Sequence, residues 1–291
     1  GFVAKCVNCD VSLTYHKSSN MMHCHYCGHV EPPLRVCPAC GMPHIESKGF
    51  GTERVEEELE ILMPEIRIGR LGLDSTKGKY GFDKIITAFD EHEFDVLIGT
   101  QMVAKGLDFG RVSLIGVVNA DTIINFPDFR SYERSFSLFS QVAGRAGRRE
   151  AGGKVIIQSY TTNHRVLEQV VNNDYEGMFM TEITERKNYL YPPFYRLIRI
   201  DIKHTDFQKC YDSANRFASA LRQQLGARVL GPEPPLVSRV RNNFIQTITL
   251  KIERTNISIA KVKELIRSVL LDFEIDKTNA GVRVQVDVDP Y

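Results

Sequence analysis

Asp95-Val-Leu-Ile-Gly-Thr-Gln-Met-Val-Ala-Lys-Gly-Leu-Asp-Phe109 sets the fold class of this chain. Residues 96–98 are apolar without alternation, the pattern of a strand buried on both faces, as in a parallel sheet. The run stops at Gly99-Thr100-Gln101, and in open α/β sheets the carboxyl ends of the strands face the ligand crevice. A second apolar run, 112–118, ends in Asn119-Ala-Asp121. Helical patterns at 80–92 and 130–143 flank these strands, with another strand at 154–160 and another helix at 162–171. Alternation of β and α elements predicts a parallel sheet with covered faces. The stretch 52–63 reads as a helix with Thr52 as N-cap and Glu53, Glu56, Glu57 and Glu58 at its positive end, stopped by Pro64. Residues 66–73 read as a strand.

Some forty residues beyond the opening stretch stands Gln141-Val-Ala-Gly-Arg-Ala-Gly-Arg148. Spacings of three and four place Gln141, Arg145 and Arg148 on one helix face. The small residues between them let a partner surface approach closely. A guanidinium is planar, always charged and matched to phosphate oxygens, so these arginines are candidate fingers for a transferring phosphoryl group. An exposed basic helix end is the alternative.

Six of the seven cysteines form Cys6-x-x-Cys9, Cys24-x-x-Cys27 and Cys37-x-x-Cys40. Each turn presents two thiolates to one metal, and Gly28 and Gly41 relax the turns they follow. Two pairs complete a tetrahedral Zn²⁺ site. Disulfides and an iron–sulfur cluster are the alternatives; the absence of a signal-peptide or membrane-spanning run favours metal over disulfides. Spacing alone permits Cys24/Cys27 to share a metal with either neighbouring pair. Five of the eight histidines (16, 23, 25, 29 and 44) lie in this section and read as loop residues near the cysteine turns or as spare ligands. Cys210, in an amphipathic helical pattern, reads as a buried core thiol.

Three segments follow: 1–50, a zinc-binding module; 51–187, the α/β section; and 188–291, a further α/β domain. The chain is long enough for several cores, and its net charge of +1 hides an asymmetry. Residues 188–291 carry 16 basic against 11 acidic side chains, whereas 51–187 carry 17 against 22, which makes the last segment the better phosphate-facing surface. Its boundary falls near 185–193, where Tyr191-Pro-Pro-Phe194 reads as extended. Strands at 195–203, 228–240, 244–252 and 281–288, with helices at 206–225 and 257–272, give β-α-β-β-α-β, a ferredoxin-like sandwich. Arg239 and Arg241 bracket a hairpin whose tip is either solvated or in contact with DNA or protein.

The segments 95–109 and 141–148 resemble motifs V and VI of superfamily 2 nucleic-acid helicases, on the second of two RecA-like lobes. The wording GTQMVAKGLDF and QVAGRAGR, with the cysteine pairs, is similar to that of the bacterial primosomal replication-restart helicases. The resemblance covers essentially the whole chain, strongest at 6–52 and 95–148. It implies ATP-driven 3′→5′ translocation on DNA, restart of stalled replication forks and reloading of the replicative helicase. Forked and single-stranded DNA, a single-strand DNA-binding protein and primosome or loader proteins are the implied partners, with no membrane. A monomer in the bacterial cytoplasm, associated with the nucleoid, is expected. The resemblance places Thr100, Gln101 and Lys105 on the DNA backbone, and Gly106 and Asp108 with Gln141 on the nucleotide side. It pairs Cys6/Cys9 with Cys24/Cys27 on one zinc and leaves Cys37/Cys40 to a further pair expected before residue 1.

The chain holds no G-x-x-x-x-G-K-[ST] phosphate loop. Asp90-Glu-His-Glu93 is only superficially a DExH box; it lacks a preceding apolar strand and reads as the polar end of a surface helix. The nucleotide-holding lobe, with ATP and Mg²⁺, is therefore expected upstream, and the chain by itself is expected to be inactive. Arg70-Leu-Gly-Leu-Asp74 departs from the family's Arg-x-Asp-x-Asp at Gly72, which leaves no carboxylate role there. A reading of a different class is a zinc-dependent DNA- or protein-binding module without catalysis; a phosphate loop in the parent sequence discriminates between them.

Overall fold

A computed structural model describes residues 2–17, 19–43, 51–72, 81–100, 112–144, 153–255 and 257–290. The chain separates into two compact units, one of residues 1–47 with 185–291 and the other of residues 48–184. The first and last segments of the sequence thus share one unit.

The unit of residues 48–184 is built on short parallel strand pairs. Strand β4 (Ile68–Leu71) runs parallel to β5 (Val96–Gly99), and β6 (Leu114–Val117) runs parallel to β7 (Lys154–Ile157). Helices α1 (Thr52–Leu62) and α2 (Gly81–Asp90) belong to the first pair; α3 (Asp121–Ile124), α4 (Ser131–Ala143) and α5 (Arg165–Val171) to the second. Ala120, Ile124, Phe136, Phe139, Val166, Leu167, Val170 and Met178 close one core. Phe136 and Phe139 are three apart and Val142 follows at another three, so one stripe of α4 is buried. The expected parallel α/β architecture is present, with β4, β6 and β7 shorter than the strands read at 66–73, 112–118 and 154–160.

Two local expectations change and one helix is unforeseen. Thr52 does not cap α1: Gly51 is the N-cap and no side chain bonds there. Glu53 and Glu56 instead face Arg70 of β4, at 3.5 and 2.9 Å, so this carboxylate-rich turn ties the helix to the strand. Residues 191–194 form a turn, not an extended segment, closed by the Phe194 N–H on the Tyr191 carbonyl at 3.1 Å. Helix α6 (Tyr175–Asn188) escapes sequence reading because only Met178 and Glu182 are buried along it. Its signal was Asp174, whose carboxylate accepts the Gly177 N–H at 2.8 Å and caps the first turn.

In the other unit, β8 (Tyr195–His204), β9 (Val229–Glu233), β10 (Arg239–Val240), β11 (Asn243–Glu253) and β12 (Arg283–Val288) make one antiparallel sheet. β12, β8 and β11 follow in that order, with β9 and β10 both paired along the far side of β11. Counting β9 and β10 as one interrupted edge, this is the ferredoxin-like order 4-1-3-2. Ile198, Ile200 and Ile202 alternate onto one face, as do Ile248, Leu250 and Ile252. Helices α7 (Phe207–Leu225) and α8 (Ile259–Ile275) cover that face, meeting edge-to-face at Phe217 and Phe273 with centroids 5.2 Å apart. Asp206 caps α7 by accepting the Lys209 N–H at 2.7 Å, and Gly226 at φ +58 ends it. Cys210 is the expected buried thiol, directed at the carbonyls of Ile202 and Phe244.

The cysteine module adds a three-stranded antiparallel sheet of β1 (Thr14–His16), β2 (Met21–His23) and β3 (Val30–Glu31). Its core is the cysteine cluster itself, which is what a module too small for an apolar core needs. Among the described residues no helix is long and apolar enough to cross a membrane.

Candidate zinc centre and the motif-bearing strands

Cys24-His-Tyr-Cys27-Gly28 folds into a tight knuckle. The Cys24 N–H reaches the His29 carbonyl at 2.8 Å and the Gly28 N–H returns to the Cys24 carbonyl at 2.9 Å. Gly28 sits at φ +79, where a side chain would be strained. Cys37-Pro-Ala-Cys40-Gly41 repeats the design: the Cys37 N–H reaches the Met42 carbonyl and the Gly41 N–H the Cys37 carbonyl, both at 2.9 Å, with Gly41 at φ +71. The Cys6 loop is closed by the Cys6 N–H on the Val11 carbonyl at 2.9 Å.

Cys6, Cys9, Cys24 and Cys27 converge, with all four sulfurs within 4.8 Å of one another and Cys6 and Cys27 Sγ 3.6 Å apart. Tetrahedral zinc with bonds of about 2.3 Å holds its sulfurs about 3.8 Å apart. Donor number, donor type and spacing therefore fit Zn²⁺. Electrostatics agrees. Burial pushes the Cys9 thiol up to about 12 and raises Cys6. Thiolates in such surroundings are tenable only beside a cation. Cys27, the least buried of the four, is drawn down to about 6 by the His29 N–H on its sulfur, at 3.4 Å. The pairing of Cys6/Cys9 with Cys24/Cys27 is thus realised in the structure. Cys37 and Cys40 join no group of three or more metal-ligating side chains among the described residues, and Cys40 is exposed.

The described histidines of this section, 16, 23, 25 and 29, are not part of the four-sulfur group, and His44 lies outside the described residues. His16 Nε2 lies 3.4 Å from His25 Nε2, His23 Nε2 meets Ser19 Oγ at 3.2 Å, and His29 pairs with Glu31 at 3.1 Å.

Of the helicase-motif residues, Thr100 is exposed immediately beyond β5, at the carboxyl end of a parallel strand as expected. Gln141 is exposed on α4, which ends at Ala143 with Gly144 as C-cap. Gln101, Lys105, Gly106, Asp108, Arg145 and Arg148 lie outside the described residues. Asp90 ends α2 and 91–93 form a turn, the polar helix end anticipated for Asp90-Glu-His-Glu93. Sequence reading passed over Asp121. Its carboxylate takes the Ser159 hydroxyl at 3.0 Å and the Tyr160 N–H at 2.9 Å, and the Tyr160 N–H is the main cause of its lowered pKa. It ties the carboxyl ends of β6 and β7 together, and its position after an apolar run was the available signal.

Residues 6–32 match the family described as PriA DNA helicase Cys-rich region (CRR) domain, residues 50–150 the helicase conserved C-terminal domain, and residues 187–291 the primosomal protein N C-terminal domain. The chain is 38% identical over 293 residues to the replication restart protein PriA of Bacillus subtilis, covering all of this chain and 36% of that protein. It is 39% identical over 292 residues to the PriA protein of Treponema pallidum, again along its whole length and over 43% of the relative. With the Synechocystis protein of the same name identity is 36% over 286 residues, 95% of this chain and 34% of the relative. The chain thus spans between 34 and 43% of the length of these curated relatives.

Proposed function

Because the chain belongs to the PriA family of replication restart proteins, we propose that it is part of an ATP-driven 3′→5′ DNA helicase that restarts stalled forks and reloads the replicative helicase. The observation that carries this reading is the match along the whole chain, with the cysteine-rich region and the helicase C-terminal domain in one order. Thr100, Gln101 and Lys105 contact the DNA backbone; Gly106, Asp108 and Gln141 face the nucleotide. Arg145 and Arg148 supply positive charge to the phosphoryl group of an ATP·Mg²⁺ held by a phosphate loop this sequence does not contain. Forked and single-stranded DNA, a single-strand DNA-binding protein and primosome loaders are its partners, in a monomer of the bacterial cytoplasm and nucleoid. Zn²⁺ is structural: the four cysteines hold it, and it takes no part in ATP chemistry.

The test is DNA-stimulated ATP hydrolysis by the intact protein. Arg148→Ala is expected to lower kcat by roughly 10³-fold while DNA affinity stays near wild type. The 291-residue chain alone is expected to show no DNA-stimulated turnover. Robust hydrolysis by that chain, or an unchanged kcat in the variant, overturns the reading.

A further inference from the structure

Four thiolates on one dication keep net negative charge and are held in place by N–H donors around them. Cys6 takes its donor from Asn8 at 3.4 Å and Cys27 from His29 at 3.4 Å, each two residues along its own loop. Cys9 takes its donor from much farther along the chain. The N–H that reaches its sulfur, at 3.3 Å, belongs to Arg241, 232 residues away in the turn between β10 and β11.

That turn is fastened to the Cys6 loop along its length. The Asn242 N–H reaches the Asn8 carbonyl at 2.8 Å and the Asn242 side-chain amide reaches Asn8 Oδ1 at 3.2 Å. The Asp10 N–H reaches the Arg239 carbonyl at 2.9 Å. The Asp10 carboxylate takes the Ser238 hydroxyl at 2.6 Å and Arg239 Nε at 3.3 Å. Val240 packs on the cysteine cluster. Arg241 and Asn242 have φ of +50 and +60, the signature of a type I′ turn, whose first centre is ordinarily Asn, Asp or Gly. An arginine in this left-handed region persists where surrounding contacts over-determine it, and here those contacts are the cysteine loop.

We propose that the zinc site and the β10–β11 hairpin form one metal-linked unit, in which the Arg241 N–H is an outer donor to the zinc-bound Cys9 thiolate. Zinc occupancy fixes the hairpin, and by reciprocity hairpin docking tightens zinc. The two arginines then have different tasks. Arg239 is a tether, spent on Asp10. Arg241 gives its main chain to the site, while its exposed side chain enters no ion pair among the described residues and is presented at a position set by the metal.

The experiment uses the zinc-loaded full chain, with Asp10→Ala/Asn242→Ala as the undocked variant and Arg241→Gly as a variant that keeps the N–H and suits the positive φ. Zinc transfer to a chromophoric chelator and residue-level amide exchange, with and without metal, are the readouts. The undocked variant is expected to release zinc about tenfold faster, while slow-exchanging amides of α7 and β8 stay protected and so report an intact fold. Arg241→Gly is expected to release zinc no faster than wild type. Metal removal is expected to expose the amides of residues 239–243 and leave α7 protected. Unchanged release from the undocked variant, or hairpin protection indifferent to metal, overturns the coupling. A chain that binds no zinc overturns the zinc reading itself, a distinguishable failure.

Discussion

Arg67 grips Asp95 with two prongs, Nε on Oδ2 at 3.0 Å and Nη2 on Oδ1 at 2.9 Å, and its N–H adds a third bond to Oδ2 at 2.9 Å. These residues precede β4 and β5. The Asp95 N–H returns to the Arg67 carbonyl at 2.8 Å, so side chains and main chain together hold the starts of two parallel strands in register. No tight turn can align parallel strands, so a fork of this kind supplies alignment that the connection does not.

This fork makes the lobe of residues 48–184 sensitive to acid. Hydrogen bonding from the Arg67 side chain holds the Asp95 carboxyl down to about 2. Its folded pKa lies below the unfolded value of about 3.9, so the ionised form stabilises the fold. That contribution is complete above about pH 4 and is lost as pH falls through about 2. Both side chains are well exposed, so the effect is small and salt weakens it. Thermal midpoints between about pH 5 and pH 2 are expected to fall more steeply for wild type than for Asp95→Asn; parallel curves refute the assignment.

Metal content and thiol reactivity test the division among the cysteines. One zinc per chain is expected, on the single four-sulfur cluster. With zinc bound, Cys40, which is exposed, and then Cys37 are expected to alkylate first, while Cys210, fully buried, reacts only on unfolding. Mass spectrometry of partly alkylated protein gives the order. Two zinc ions per monomer, or early labelling of Cys6 or Cys9, contradicts it.

Phe217 is 1% exposed between the sheet and Phe273. Phe217→Ala removes most of a ring from a closed core and is expected to cost about 3–5 kcal/mol. Denaturant unfolding followed at tyrosines of the 185–291 region measures it. A loss below about 1 kcal/mol would show that the core collapses around the gap.

Elements with strong periodicity were legible along the chain. Ile198, Ile200 and Ile202 alternate at period two, and Cys210, Ala214, Phe217, Ala218 and Leu221 recur at three and four, so β8 and α7 fall where expected. Helix α6 was missed because its apolar residues do not share a face, and Thr52 was misread because a cap depends on φ and on a bond, not on residue type alone. The motif residues Thr100 and Gln141 sit at the ends of the elements foreseen for them. Asp10 and Asn242 carried no signal at all, since their contacts span more than 200 residues of sequence.

By itself the sequence determined everything set by a few neighbouring residues: the knuckles that Gly28 and Gly41 permit, the parallel character of residues 96–98, and the two halves of the split β-α-β domain. Spacing left Cys24 and Cys27 free to pair with either neighbouring couple. Tertiary structure brought them to Cys6 and Cys9, and brought Arg241 to the Cys9 sulfur. The reason is range: a turn is settled by local φ, ψ and a hydrogen bond across four residues, whereas the choice among identical thiolates is settled only by which distant segments pack together.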